Sequence, residues 1–151
     1  MRKLLLASFV ALFVCGCFPY PPAPPPGPGP GDWLEITAFE PGVPAVLNFG
    51  DRLHVVIRYR MQSVDGVRIF ARPYTNGKKT PGYRAHPSAT YGRGEGEVVG
   101  WFTFSKVATV DEVRVEMVNA ANNEVIAQIS HEIEARWVAK LLIKPVKTIG
   151  Q

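Results

Sequence analysis

Cysteine is almost absent from this chain of 151 residues, and its two copies, Cys15 and Cys17, both lie at the amino-terminal end. Residues 18–151 therefore hold no disulfide, no thiol nucleophile and no cysteine ligand for a metal. Long apolar runs are absent too, because the run from Leu4 to Val14 is too short to cross a bilayer as a stable helix. These absences argue against a disulfide-stapled scaffold, thiol chemistry and a membrane-spanning helix.

Catalytic and ligand-binding motifs are equally scarce. The three histidines, His54, His86 and His131, fall on separate segments without the spacing of a metal site on a helix. There is no Gly-x-Ser-x-Gly nucleophile elbow, and no glycine loop followed by a helix that would bind a phosphate. Glu95 and Glu97 are interpreted as charges of a solvated loop. We therefore predict no enzyme activity, no bound metal and no cofactor.

The amino terminus carries the pattern of an export signal. Basic residues at positions 2 and 3 precede the apolar run, and Val14, Cys15 and Gly16 lead directly into Cys17. This segment resembles the lipobox of bacterial lipoproteins, in which an apolar residue and two small ones precede a cysteine. The resemblance implies a signal peptide over residues 1–16, thioether lipidation of Cys17 and acylation of its new amino group.

Lipidation of Cys17 would attach the protein to a membrane through its amino terminus. Lipoproteins held at the inner membrane often carry aspartate after the lipidated cysteine, and this chain has Phe18 there. The resemblance therefore implies the outer membrane of a bacterial cell envelope, at its periplasmic or surface face. Two alternatives stay open, a cut at a nearby residue that releases a soluble exported protein, and an uncleaved anchor.

The net charge gives no support to nucleic-acid binding. The chain has 17 Lys and Arg against 13 Asp and Glu, but Arg2 and Lys3 belong to the signal. Their removal leaves fifteen basic and thirteen acidic residues, which is a net charge of +2. We therefore expect no nucleic-acid partner.

Proline is concentrated directly after the proposed lipid site. Residues 18–31 contain eight of the chain's 14 prolines, a composition that cannot bury a core and that favours the extended polyproline II conformation. We interpret residues 17–31 as the lipidated cysteine followed by a tether that holds a domain clear of the membrane. A docking peptide for an aromatic groove is the alternative.

Alternation of apolar and polar residues predicts strands after the tether. Turn signals rich in glycine, proline, asparagine and aspartate separate the alternating segments, and no helix intervenes. The pattern predicts about seven strands, in residues 32–39, 44–50, 52–61, 66–72, 97–104, 111–118 and 124–137.

Short strands at this spacing are typical of an antiparallel β-sandwich. Residues 33–137 resemble an immunoglobulin-like or fibronectin-like domain in architecture, and we assign an all-β sandwich domain to residues 32–137. Two finer expectations follow from the pattern. Gly100 marks a β-bulge, and His131, on an inward-facing position, is a hydrogen-bonded core residue.

One segment, residues 73–94, is long for a loop in a small sandwich, and long loops are often functional. It interleaves tyrosines with cations, which are the residue types that carry binding energy at protein interfaces and that suit sugars. Contact with an envelope protein, contact with a glycan, and simple packing of the tyrosines on the sandwich all stay open. The candidate binding residues are Tyr74, Lys78, Lys79, Tyr83, Arg84, His86, Tyr91 and Arg93.

Residues 138–151 form a basic, apolar carboxyl-terminal segment. Alternation predicts a final strand that frays into a tail, while the spacing of its cations also fits a helix that lies on a membrane or partner. Taken together, the sequence predicts a lipid-anchored, non-catalytic binding or scaffolding module. The alternative function is a glycan-binding lipoprotein, for peptidoglycan or surface polysaccharide.

Overall fold

The computed structural model describes residues 31–140, so the predicted signal peptide, nearly all of the tether and most of the carboxyl-terminal segment lie outside the described residues. Strands and turns make up this range, which contains no helix. The strands are β1 (Trp33–Glu40), β2 (Ala45–Asn48), β3 (Leu53–Met61), β4 (Val67–Thr75), β5 (Lys78–Lys79), β6 (Tyr83–Ala85), β7 (Gly94–Phe104), β8 (Ala108–Asn119) and β9 (Val125–Val138).

The nine strands form two sheets with the orders β1-β3-β7-β6 and β2-β9-β8-β4-β5. One hydrophobic core takes buried residues from both sheets, so the predicted all-β, sandwich-like fold is confirmed. The predicted count of about seven strands is too low, because β5 and β6 lie inside the segment that was assigned to a loop. The prediction of a wholly antiparallel fold is also wrong, since β2 pairs in parallel with β9.

The core follows the period-two alternation of the sequence. In β3, the five side chains that alternate as apolar are all buried, and the polar ones between them face outward. The largest fully buried side chain is Trp137, whose ring lies 4.8 Å from that of Phe104 and 5.7 Å from that of Phe102. The two phenylalanines belong to β7 and Trp137 to β9, so this aromatic cluster joins the two sheets.

The Trp137 indole also binds the turn between β2 and β3. Its Nε1–H donates to the Asp51 carbonyl oxygen at 2.9 Å, and the Thr103 hydroxyl donates to the same oxygen at 2.6 Å. A buried polar group costs free energy unless it is hydrogen-bonded, so this carbonyl satisfies two donors of the core at once. The turn is thereby held against β7 and β9.

Gly100 does not mark a bulge, contrary to the sequence-based expectation. It pairs with Val55 in a continuous register between β3 and β7. A Cβ atom at position 100 would lie 3.1 Å from the Ala71 Cβ of the opposite sheet and 3.7 Å from the Ile57 Cδ1. Glycine is present because the two sheets approach closely at this point, not because the strand is interrupted.

The chain enters the domain at one end and reaches Val138 at the other. Asp32 accepts hydrogen bonds from the Gln62 and Ser63 backbone N–H groups at 2.5 and 3.2 Å and from the Ser63 hydroxyl. Burial acts to raise the pKa of Asp32, but these hydrogen bonds outweigh it and lower the pKa. We call this end, which holds the β3–β4 and β8–β9 turns, the tether end. The 14 residues of β9 run from there for about 45 Å to the opposite, distal end.

Candidate binding surface

The segment 73–94 is a crossover between the two sheets, so the prediction of a single long loop is wrong. Asn76 and Gly77 have φ values of 50° and 73°, which suits the tight hairpin that pairs β4 with β5. After Gly82, the chain joins the other sheet as β6, and it ends as the start of β7. The eight candidate residues are consequently spread over three places.

Tyr74 lies on the outer face of β4, where its ring is covered. Only 9% of the residue is exposed, and the guanidinium carbon of Arg114 lies 3.9 Å from the centroid of the ring. Lys79 pairs with Tyr74 across the hairpin and is exposed, as is its neighbour Lys78. Tyr74 is therefore a support for this hairpin, while the two lysines face solvent.

The ion pair between Arg114 and Glu112 holds the guanidinium over the Tyr74 ring. Arg114 donates from Nε to one Glu112 carboxylate oxygen at 2.7 Å and from Nη2 to the other at 3.0 Å. The hydrogen bond from Arg114 is the largest cause that lowers the pKa of Glu112, and the hydrogen bond to Glu112 raises the pKa of Arg114. Both groups therefore stay charged, and the bidentate geometry fixes the orientation of the guanidinium plane.

Tyr83 joins the two sheets and is half-buried. Its ring lies 6.4 Å from that of Phe104, and its hydroxyl accepts a hydrogen bond from Arg72 Nη1 at 3.3 Å. Arg72 also donates from Nε to Glu116 at 2.7 Å. Burial acts to lower the pKa of Arg72, but the hydrogen bonds to Tyr83 and Glu116 raise it overall. Tyr83 is held in place by these contacts, so it is a poor candidate for a free contact residue.

Arg84 and His86 lie on the four-stranded sheet beside Trp101. Arg84 is exposed on the edge strand β6, opposite Thr103. The His86 backbone N–H donates to the Trp101 carbonyl at 2.8 Å, and its ring stands edge-on to the indole at a centroid distance of 5.9 Å. The guanidinium of Arg52 covers one face of the indole at 4.1 Å, so Trp101 is not a freely exposed aromatic platform.

The last two candidate residues, Tyr91 and Arg93, lie at the tether end. Tyr91 exchanges two backbone hydrogen bonds with Val67, and its ring lies 5.7 Å from that of Tyr59. Burial, with a smaller contribution from Tyr91, raises the pKa of Tyr59. Arg93 forms an ion pair with Asp65 at 2.9 Å. Both residues connect the turns of this end, and they are separate from the residues around β5 and β6.

Three candidate residues, Lys78, Lys79 and Arg84, remain exposed, and we call them the cationic edge. They lie on the edge strands β5 and β6, and the contact of β6 with β4, the neighbour of β5, places the two edges on the same side of the domain. Among residues 31–140, none of the three has an acidic partner within ion-pair distance. The outer edge of β6 is also unpaired within the described part of the chain. This combination is typical of a surface that accepts an acidic or extended partner.

Sequence reasoning missed the residues that support this edge. Arg72 and Glu116, and likewise Arg114 and Glu112, belong to β4 and β8, which the alternation already placed on outward faces. Arg114 and Glu112 pair along β8 itself, but the pairing of Arg72 with Glu116 and the contact of Arg114 with Tyr74 depend on the register in which Phe70 lies opposite Glu116 and Tyr74 opposite Glu112. Alternation indicates the face of a side chain but not its neighbour on the next strand.

The expectation of a core histidine at position 131 is wrong. His131 lies where β9 contacts the edge strand β1, and it is exposed, with its ring 5.3 Å from that of Phe39. Glu95 and Glu97 lie on β7 and not in a loop, although both are exposed as expected. Within the described range, no group of three or more His, Cys, Asp or Glu side chains is placed to hold a metal.

An open groove of about 690 Å³ lies on the outer face of the five-stranded sheet. Two of the carboxylates that line it are already engaged, because Asp111 accepts from the Asn76 backbone N–H at 2.7 Å and Glu112 binds Arg114. The remaining lining residues are Gly77, Ser130, Glu132 and Ile133. We assign no ligand to this groove.

Comparison with known proteins gives no family for this chain. Neither a protein-family model nor a curated protein matches its sequence. In residues 31–140 there is no helix with the length and apolar character needed to cross a membrane. The cationic edge and the amino-terminal pattern are therefore the features of this chain that indicate its function.

Proposed function

We propose that this protein is a lipid-anchored, non-catalytic binding module of the bacterial cell envelope that contacts an acidic protein partner through its cationic edge. The observation that carries the proposal is that Lys78, Lys79 and Arg84 lie exposed on the edge strands β5 and β6 without acidic partners among residues 31–140. Most other arginines of this range are already paired with carboxylates. An unpaired cationic surface attracts and orients an acidic partner.

We further propose that the domain has the immunoglobulin-like topology. In immunoglobulin domains, one sheet holds strands A, B, E and D and the other holds C, F and G. If the nine strands are named A, A′, B, C, C′, D, E, F and G in chain order, the observed sheets read A-B-E-D and A′-G-F-C-C′, which supports the assignment. The inter-sheet disulfide of antibody domains has no counterpart, because no cysteine follows Cys17.

The anchor in this proposal is Cys17, and the tether holds the domain away from the bilayer. The amino-terminal pattern described above supports lipidation, cleavage before Cys17 and an outer-membrane location. Residues 18–31 would reach at most about 43 Å in the polyproline II conformation. The cationic edge lies in the distal half of the domain, since β6 pairs with the last residues of β7, so the tether presents it away from its own attachment point.

The aromatic residues favour a protein partner over a glycan. Glycan binding generally uses an exposed aromatic face on which a sugar ring stacks. Tyr74 is buried, and Tyr83, Tyr91 and Trp101 are half-buried and in contact with neighbouring side chains. The accessible groups at this surface are instead the ammonium and guanidinium groups of the cationic edge.

Photo-crosslinking in living cells tests the proposed function. A photoreactive amino acid replaces Arg84 in the full-length protein, and the matched control carries it at Glu132, an exposed position on β9. We expect a discrete heavier protein band from position 84 and none from position 132. In the double variant Lys78→Glu, Lys79→Glu, the band should weaken about tenfold, because like charges then face the acidic partner.

Each alternative function gives a different pattern in this experiment. Equal bands from both positions would indicate nonspecific proximity and would contradict a cationic binding edge. Absence of any protein band, together with retention of the protein on peptidoglycan or polysaccharide, would replace the proposal by the glycan-binding alternative.

A further inference from the structure

The hydrogen bonds of β6, the last strand of its sheet, show which of its backbone groups are left open. In an antiparallel pair of strands, hydrogen-bonded and non-hydrogen-bonded residue pairs alternate. The His86 N–H donates to the Trp101 carbonyl at 2.8 Å, so Arg84, two residues earlier, also directs its backbone groups to β7. Tyr83 and Ala85 therefore direct their N–H and C=O groups away from β7, to the open edge.

The pairing on β7 agrees with this assignment. Phe104, which lies opposite Tyr83, accepts a hydrogen bond through its carbonyl from the Gly50 N–H at 2.9 Å. Gly50 belongs to the turn that leads into β3, so the backbone of Phe104 is directed to β3 and not to β6. No turn or loop of residues 31–140 supplies a backbone partner for Tyr83 or Ala85. The edge of β6 thus leaves the N–H and C=O groups of both residues open to a partner.

The side chains of β6 give this edge two different faces. Arg84 is exposed on the outer face of the sheet, whereas Tyr83 and Ala85 are half-buried on the inner face. Pro81 and Pro87 lie on either side of the strand and have no N–H group to offer. The open edge is therefore short, and it suits one brief extended segment of a partner rather than a long strand.

We propose that the partner of the cationic edge binds as an added β-strand on β6, through an extended segment with an acidic side chain opposite Arg84. The acidity of this segment rests on the proposed function above, while the open backbone groups do not. In strand addition, main-chain hydrogen bonds give affinity and alternate side chains give specificity. Tyr83 and Ala85 would supply the hydrogen bonds, and Arg84 would select the charge.

The direction of the Arg84 backbone explains why its side chain selects the charge. Because its N–H and C=O face β7, Arg84 would form a non-hydrogen-bonded pair with an added antiparallel strand. Such pairs bring opposing side chains closest together, and opposite charges at these positions stabilise the pairing of strands. A carboxylate across from Arg84 would therefore lie directly beside the guanidinium.

The same geometry disfavours a second copy of this chain as the added strand. Two β6 strands that pair antiparallel through Tyr83 and Ala85 would place Arg84 of one copy across from Arg84 of the other. Like charges directly opposite each other in a non-hydrogen-bonded pair destabilise the contact. The charge of the edge thus favours an acidic segment of another protein over self-association.

The neighbouring edge strand β5 is a weaker acceptor for a strand. The Thr80 N–H donates to the Pro73 carbonyl at 3.0 Å, so by the same alternation only Lys79 of this two-residue strand directs its backbone outward. β6 has two such residues. Lys78 and Lys79 contribute instead through charge, because β5 and β6 lie on the same side of the domain and an exposed cationic surface attracts acidic segments.

Hydrogen exchange on the full-length, lipidated protein in detergent micelles tests the proposed strand addition. The probe is a synthetic peptide of alternating glutamate and threonine, and its matched control has the same sequence with N-methyl groups on the backbone. The unmodified peptide should slow exchange of the Tyr83 and Ala85 amides by at least about tenfold, because they become hydrogen-bonded. Amides of β1, the other edge of this sheet, should exchange as before. The methylated peptide should protect neither amide.

A proline at position 85 removes one of the proposed donors without breaking the β6–β7 ladder. Proline is tolerated on an edge strand where the N–H faces solvent, and the Ala85 N–H is directed outward. Ala85→Pro should weaken binding of the unmodified peptide about tenfold, since a carbonyl of the peptide is then left without its donor. The crosslinked band from position 84 in cells should weaken as well. Circular dichroism checks that the variant is folded.

The possible outcomes separate strand addition from the proposed function. Equal affinity for the methylated and unmodified peptides, or no protection of Tyr83 and Ala85 at saturating peptide, would overturn strand addition. The proposed function would survive this result if Lys78→Glu, Lys79→Glu still weakened the crosslinked band. Equal protection by an alternating lysine and threonine peptide would contradict selection of an acidic segment. Protection of both amides before any peptide is added, in a protein that sediments as a dimer, would make a second copy the occupant and would also overturn the proposal.

Discussion

Replacing Trp137 with alanine is expected to lower the free energy of unfolding by about 3–5 kcal/mol. The indole is fully buried between the sheets, in contact with Phe102 and Phe104, and its Nε1–H is bound to the Asp51 carbonyl. The substitution leaves a cavity that the rigid sheets fill only in part, and it removes the link to the β2–β3 turn. Chemical denaturation followed by circular dichroism measures the loss, which is a large share of the stability of a small domain.

Trp137→Phe separates the two contributions of the indole. It keeps an aromatic ring in the cluster but removes the hydrogen bond, while the Asp51 carbonyl keeps its bond from Thr103 at 2.6 Å. We expect a smaller loss of about 1–2 kcal/mol, which combines the missing hydrogen bond with a modest change of volume. An alanine variant as stable as the phenylalanine variant would contradict a core organised around Trp137.

Replacing Gly100 with valine is expected to cost about 2–3 kcal/mol through overpacking. The Cβ atom alone would lie 3.1 Å from the Ala71 Cβ, and the two methyl groups of valine would enter the same narrow space between the sheets. Denaturant unfolding of this variant measures the cost. Gly92→Val is the matched control, because a Cβ atom there meets nothing within 4 Å.

A double-mutant cycle attributes the effect to the contact with Ala71. Gly100→Ala should destabilise the wild-type domain, and it should destabilise less in the Ala71→Gly background, where the opposing methyl group is missing. Additive effects of the two substitutions would show that the sheets do not meet at this pair, and they would require another reason for glycine at position 100.

The parts of the fold that the sequence predicts well are those that alternation alone determines. Residues 53–61 form a strand with Leu53, Val55 and Ile57 buried, as the period-two pattern indicates, because each side chain of a strand faces opposite to its neighbour. All seven segments that the sequence predicts as strands contain a strand in the structure. Their assembly into two sheets around one core follows from the need to bury one face of each strand.

The parts that the sequence does not predict depend on partners that are distant in the chain. β5 and β6 have two and three residues, which is too short for any periodicity, and β6 exists because it pairs with the end of β7. The parallel pairing of β2 with β9 has no signature in either segment. His131 occupies the predicted face, yet it is exposed, because it lies beside Phe39 of the edge strand β1 and not over the centre of the core.

The candidate surface was predicted only in outline. The segment 73–94 was selected because it is rich in tyrosines and cations. Residue type alone does not distinguish a side chain that contacts a partner from one that packs within the domain. Burial separates them, because Tyr74 and Tyr83 are held by Arg114 and Arg72, and Lys78, Lys79 and Arg84 are left in solvent. Packed and exposed candidate residues are therefore distinguished only by the structure, because the arginines that hold the two tyrosines lie outside residues 73–94.

The proposed place of this protein in the cell envelope depends most directly on Cys17, and the mass of its amino-terminal peptide tests it. For protein extracted from cell membranes, we predict a peptide that begins at Cys17 and carries a diacylglyceryl group on its sulfur and an acyl chain on its amino group. Several acyl chains give firm anchoring, so the protein should stay in the membrane fraction. Cys17→Ser should abolish this lipid attachment. An unmodified peptide beginning at another residue, from protein recovered in the soluble fraction, would contradict the account.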